Sequence, residues 1–215
     1  MILAIFGTLG GVIIGLVIYF FKSMRSNFKD NILQKIIKKI LSLIATAYVD
    51  VIRGTPMIVQ ASIFYYGFAG HLGINIVMTG LIVVSFNTAA YIAEIIRSGV
   101  IALGIGSLEA AQSLGLSRYQ AMRYVVFPQV LKNSLPSLLN ELIVNVKDSS
   151  VLSIIGLSDL FYSARAASSA NYFHEATFVL VAIIYFIITF TLARLITFIV
   201  NYKGNGQYEI KSTSI

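Results

Sequence analysis

Polar side chains crowd one short part of an otherwise apolar run from about Ser134 to Ile155: Asn140, Glu141, Asn145, Lys147 and Asp148. Wound as a helix, Ser137, Asn140, Glu141, Asn145 and Asp148 share one arc with Lys147 at its edge. That arc covers roughly 160°, and Leu135, Leu139, Leu142, Ile143 and Val146 fill the rest. Hydrocarbon cannot solvate such a face, since a charged residue at the centre of a membrane helix costs roughly 2.5–3.5 kcal/mol. The chemistry on offer is recognition rather than bond making. Carboxylates and amides attract an ammonium or polar group, and the lysine balances their charge or meets a carboxylate. Two readings follow: a lattice of polar contacts between helices, or the wall of a path for a polar solute. Asn87, in a separate apolar run, has the same two readings.

Bond-making chemistry has no foothold. There is no Walker motif, no glycine-rich phosphate loop and no Ser–His–Asp set, so the chain is read as a non-enzyme that binds no cofactor of its own. It has no cysteine, which removes disulfides and thiolate metal sites. His71 and His174 stand apart from other metal-ligating residues and read as solvated loop residues.

A second polar island, Ser107 to Pro128, lies between apolar runs. Ser107 is expected as an N-cap, with Glu109 in the first turn, where a carboxylate suits the positive end of the helix dipole. Gly115 can take the left-handed conformation that stops a helix. Ser117 and Gln120 have the spacing of a capping box. Pro128 is expected to disturb helical geometry at Phe127. The result is a rigid helix–glycine–helix element outside the membrane.

The elements that position these groups follow from composition. Of 215 residues 57% are hydrophobic and 12% charged, and the mean hydropathy is +0.84, which excludes a soluble domain. Apolar runs long enough for a roughly 30 Å hydrocarbon core recur at about 1–21, 45–68, 76–96, 134–155 and 176–200. An all-α membrane protein of five spans is expected, a single domain. The net charge of +7 does not mark a nucleic-acid binder, because the basic residues sit beside spans. Lys22, Arg25, Lys29, Lys35, Lys38, Lys39 and Arg53 fall in one inter-span region, and Arg97, Arg118, Arg123 and Lys132 in another. By the positive-inside rule both face the cytoplasm, with the N-terminus outside and the C-terminus inside. The first run reads as a span rather than a cleaved signal, and Gly7, Gly11 and Gly15 allow a close helix neighbour. Its start is abrupt, which suits a short protein or an alternative start. Pro56 is expected to kink the second span, Pro136 fits the first turn of the fourth, and Glu94 and Arg97 can pair. Residues 156–175 read as an outer loop with a short interfacial helix, and 201–215 as a polar tail.

The order Glu109-Ala110-Ala111, Gly115, then Val125-Val126-Phe127-Pro128 resembles the EAA loop of bacterial ATP-binding-cassette importer permeases, with Val125 and Phe127 where that pattern usually has Ile and Leu. Further stretches resemble the polar amino-acid uptake subfamily: Arg53-Gly54-Thr55-Pro56 with Val59-Gln60, Tyr65-Tyr66-Gly67, Ala89-Ala90-Tyr91 with Glu94 and Arg97, Pro128-Gln129, and Lys147-Asp148-Ser149-Ser150. The resemblance runs over about residues 7 to 200. It implies a subunit of the bacterial cell membrane that forms a translocation path as a dimer, with a second copy or a similar permease. It also implies cytoplasmic ATPase subunits, which bind the ATP and Mg, and an external substrate-binding protein. Ser107, Glu109, Ala110, Ala111, Gly115 and Arg118 would couple to the ATPase, and Asn87, Asn140, Glu141, Asn145, Lys147 and Asp148 are the substrate-path candidates. The rival classes are an ion-coupled carrier or channel, with Lys147 and Asp148 as a relay, and a non-transporting scaffold. Polar amino acids, cystine and opines share these motifs, so the solute is not legible.

Overall fold

The computed structural model describes residues 1–24 and 30–203, with side chains through Val200. Arg25, Lys29 and the tail beyond 203 lie outside the described residues. Every regular element among those described is helical, as apolar runs of this length require: only a helix satisfies its own backbone within one segment in lipid.

Helix α1 (Ile2–Lys22) and helix α4 (Ile76–Leu103) form the centre. Gly7, Gly11 and Gly15 do what their spacing predicts. A Cβ on them would sit 2.5 Å from Val84 Cγ1, 2.6 Å from Thr88 Cβ and 2.7 Å from Ile92 Cβ. Contacts advance in step along both helices, so α1 and α4 run parallel at close range. Asn75 caps α4 through Met78 N–H at 2.8 Å. The helix runs past the expected end at Ile96 to Leu103, where Gly104, at φ 72°, turns the chain.

Helix α2 (Ile32–Gly54) and helix α3 (Met57–Phe64, widening into a π turn at Tyr65–Ala69) share the second apolar run. Instead of the expected kink there is a complete break: Thr55 is extended ahead of Pro56, which cannot donate and disfavours helix before it. The carbonyls freed at the break are met by one side chain. Gln60 Nε2 donates to Ile52 O at 2.8 Å, to Thr55 O at 3.0 Å and to Thr55 Oγ1 at 2.9 Å.

Helix α7 (Phe127–Asp148) begins well before the expected Ser134. Pro136 therefore lies inside the helix, and Pro128 takes the first-turn position instead. Phe127 stays helical at φ −62°, ψ −43°, against expectation. The strain of Pro128 is absorbed one turn earlier, where Met122–Val126 widens into a π turn and Phe127 N–H reaches Met122 O. Beyond Asp148 the chain tightens into 3-10 geometry over Ser149–Ile155. Helix α7 runs antiparallel to α4, with Val130 and Ser134 beside Gly99 and Asn145 beside Thr88.

Helix α8 (Leu160–Asn171), the expected short loop helix, is capped by Asp159 and leads into helix α9 (His174–Lys203). His174 is exposed, as expected, but it opens α9 instead of lying in a loop, and its Nδ1 meets Ser168 Oγ and ties the start of α9 to α8. Apolar packing gathers at both ends of the bundle, around Tyr19, Val49, Ile92, Ile96 and Val130 and around Ala61, Val84, Leu152 and Ile155.

Candidate transport path and docking element

The polar arc of α7 divides once its neighbours are in place. Asn145 is 3% exposed. Its Nδ2 donates to Thr8 Oγ1 at 2.8 Å and to Thr88 Oγ1 at 2.9 Å, which joins α7 to α1 and α4. Asn145 is thus held in a lattice between helices, and Glu141 is half-buried beside it. Asn140, Lys147 and Asp148 are exposed, on the arc that also carries Asn133 and Ser137. Lys147 and Asp148 form no ion pair with each other, so the ionic half of the lattice reading is missing among the described residues. Asn87 also bonds a neighbour: its Nδ2 donates to Gln60 Oε1 at 3.0 Å and fixes the amide that closes the α2–α3 break.

Asn133 and Ser137 open onto a groove of about 570 Å³, whose wall also includes Arg53, Tyr91, Glu94 and Ser98. Among the substrate-path candidates named from sequence, none lines it. Arg53 lies over the Tyr91 ring, 5.6 Å from its centroid, a geometry that steadies a cation without neutralising it. Glu94 is held from two sides, by Lys22 Nζ at 3.2 Å and by Arg97 Nε at 2.8 Å. The Glu94–Arg97 pair was legible from its spacing on one helix. Lys22, on another element, was not, and neither was the pairing of Arg53 with Tyr91.

The second polar island folds into helix α5 (Gly106–Ser113) and helix α6 (Arg118–Ala121, continued by the π turn). Ser107 is not the N-cap. Gly104 turns the chain so early that Ile105 takes that place without a side-chain cap, and Ser107 falls within the first turn, as does Glu109. Gly115 has φ +86°, and Leu116 N–H reaches back to Ala111 O at 3.2 Å, a left-handed stop. The capping box is complete: Ser117 Oγ accepts from Gln120 N–H at 3.3 Å, and Gln120 Oε1 from Ser117 N–H at 2.9 Å. Ala111 is buried where the two helices meet, while Glu109, Ala110 and Arg118 point outward. Leu114 and Tyr119 are also exposed, at 85% and 67%. Sequence periodicity missed them because so short an element has no apolar face to depart from.

The family described as binding-protein-dependent transport system inner membrane component matches residues 11–203. The chain belongs to this family. It is 31% identical over 194 residues to the glutamine transport system permease protein GlnP of Escherichia coli, covering 89% of this chain and 83% of that one. It is 36% identical over 151 residues to the arginine transport system permease protein ArtQ of Bacillus subtilis, covering 69% of each. Among solved structures, the crystal structure of an amino acid ABC transporter with histidines superposes with a TM-score of 0.80 at 37% identity, covering 93% of this chain and 88% of that one. An inward-facing MetNI methionine ABC transporter shares the fold, with a TM-score of 0.66 at 19% identity. This permease is a multi-pass component of the bacterial inner membrane.

Proposed function

We propose that the chain is the membrane-spanning subunit of an ATP-driven amino-acid importer. It would build the solute path as a dimer and receive the stroke of separate cytoplasmic ATPase subunits. The observation that carries this is the match, along nearly the whole chain, to the solved amino acid transporter. The arginine and glutamine permeases, both alike in sequence, support the solute class. Helices α1, α4 and α9 are long and apolar enough to cross a membrane. The broken pair α2–α3 and the polar α7 supply the other two of five spans, with the N-terminus outside.

In this reading α5 and α6 dock on the ATPase through Glu109, Arg118, Leu114 and Tyr119, and move as one body because Gly115 and the capping box fix their angle. Ala111 keeps the helices close, and Ala110 belongs to the outward docking face. The exposed stripe of α7, Asn140 with Lys147 and Asp148, faces the path together with the groove at Arg53. Asn145 and Asn87 hold the walls, and Glu141 lies between the two roles. A substrate-binding protein delivers solute from outside. The test is reconstitution with a cytoplasmic ATPase and a binding protein of the same importer class, measuring uptake of labelled arginine and glutamine. Uptake that requires ATP supports the reading; uptake driven by a proton gradient without ATP would replace it with a carrier.

A further inference from the structure

The first turns of α2 do not belong to the bundle. Helix α1 has 21 residues, about 31 Å at 1.5 Å per residue, which already spans the hydrocarbon core. Ser42 Oγ donates to the Lys22 carbonyl at 3.1 Å, so residue 42 is level with the end of α1. Residues 32–41 therefore continue α2 by up to about 15 Å past that end, out of the hydrocarbon and across the lipid headgroups. They are not polar all round. Leu33, Ile36, Ile37 and Ile40 share one face and are 47% to 68% exposed. Lys35, Lys38, Lys39 and Ser42 share the opposite face. Lys38 pairs with Asp30 at 2.8 Å, whereas Lys35 and Lys39 have no ion pair among the described residues.

We propose that residues 32–41 are a binding face for the anionic phospholipid headgroups of the leaflet in which α1 ends. A helix that leaves the hydrocarbon through the headgroup layer, with lysines on one side and uncovered apolar side chains on the other, suits anionic headgroups. Ile40 and Ile37, nearest the end of α1, lie against the acyl boundary, with Ile36 and Leu33 farther out. Lys35 and Lys39, with Lys38 behind them, reach phosphates beside the end of α1. The inference rests on the chain being a membrane component but on no particular solute, and its test reads lipid association rather than uptake.

The chain has no tryptophan, so Ile37→Trp supplies a single reporter on the apolar face, and Val77→Trp one at the start of α4. The full-length chain is reconstituted in vesicles of phosphatidylcholine and phosphatidylglycerol, with one or the other lipid brominated. Brominated phosphatidylglycerol should associate with the Ile37→Trp reporter about fivefold more strongly than brominated phosphatidylcholine, which is what one lysine near an anionic surface supplies. The Val77→Trp reporter should show no preference. Adding Lys35→Gln, Lys38→Gln and Lys39→Gln should abolish the preference, and the three Arg replacements should keep it. Quenching of the Val77→Trp reporter in the same triple variant verifies insertion. Equal quenching by both lipids at Ile37→Trp, a preference that survives the Gln variants, or no quenching by either lipid would overturn the proposal.

Discussion

Asn145 and Asp148 stand less than one helical turn apart on α7 and do different work. Asn145 gives both amide hydrogens to threonines of other helices. Interhelical hydrogen bonds in membranes average about 0.6 kcal/mol and reach about 1.7 kcal/mol. Asn145→Leu, which loses these and the Thr88 Oγ1 bond to Asn145 Oδ1, should therefore lower resistance to denaturing detergent by about 1–2 kcal/mol. Asn140→Leu, on the exposed stripe, should stay within about 0.5 kcal/mol of the parent. Equal losses in a circular-dichroism unfolding series would place both in one lattice. For Asp148, exposed and without an ion pair among the described residues, Asp148→Asn should leave that unfolding midpoint unchanged while weakening solute binding to the reconstituted permease. Unchanged affinity together with unchanged stability would remove Asp148 from the path. The polar arc was legible in sequence because helical angle is a local property. Its division was not, because Thr8 and Thr88 are distant in the chain and helical angle cannot say which neighbour arrives.

Elements were read well where a local signal decides and poorly where backbone strain is passed along. The glycine ladder of α1, the capping box at Ser117 and the left-handed Gly115 each act over a few residues, and all three are present. Ser107 missed its cap because Gly104 starts the next helix two residues earlier than the serine suggests. The prolines were harder. Pro56 breaks its helix outright because Gln60, held by Asn87, receives the freed carbonyls. Pro128 breaks nothing because a π turn precedes it. Gly115→Val tests the docking element: a β-branched residue at φ +86° should cost about 1 kcal/mol or more. The variant should still insert, yet stimulate its ATPase poorly, and Glu109→Lys should add to the defect. Wild-type stimulation in the double variant would show that this element does not transmit the stroke.

At the scale of the whole molecule, the direction of every helix follows from one assignment. Helices α1 and α4 run parallel and α7 antiparallel to them, so fixing one end fixes the rest. The lysines and arginines beside the ends of α1 and α4 favour placing those ends in the cytoplasm. That choice puts α5 and α6 where an ATPase can reach them and α8 where a binding protein can. Because the chain lacks cysteine, Ser107→Cys and Ser169→Cys each introduce a single reactive thiol. Ser169 is exposed on α8, and Ser107 is partly exposed on α5. A membrane-impermeant maleimide applied to intact cells should label Ser169→Cys and spare Ser107→Cys. After the membrane is opened with detergent, both should react, which shows that the Ser107→Cys thiol is accessible and was shielded only by the bilayer. Labelling of Ser107→Cys in intact cells would invert the proposed topology. The docking element would then lie outside, beyond the reach of any cytoplasmic ATPase, and the proposed route for the stroke would fail with it.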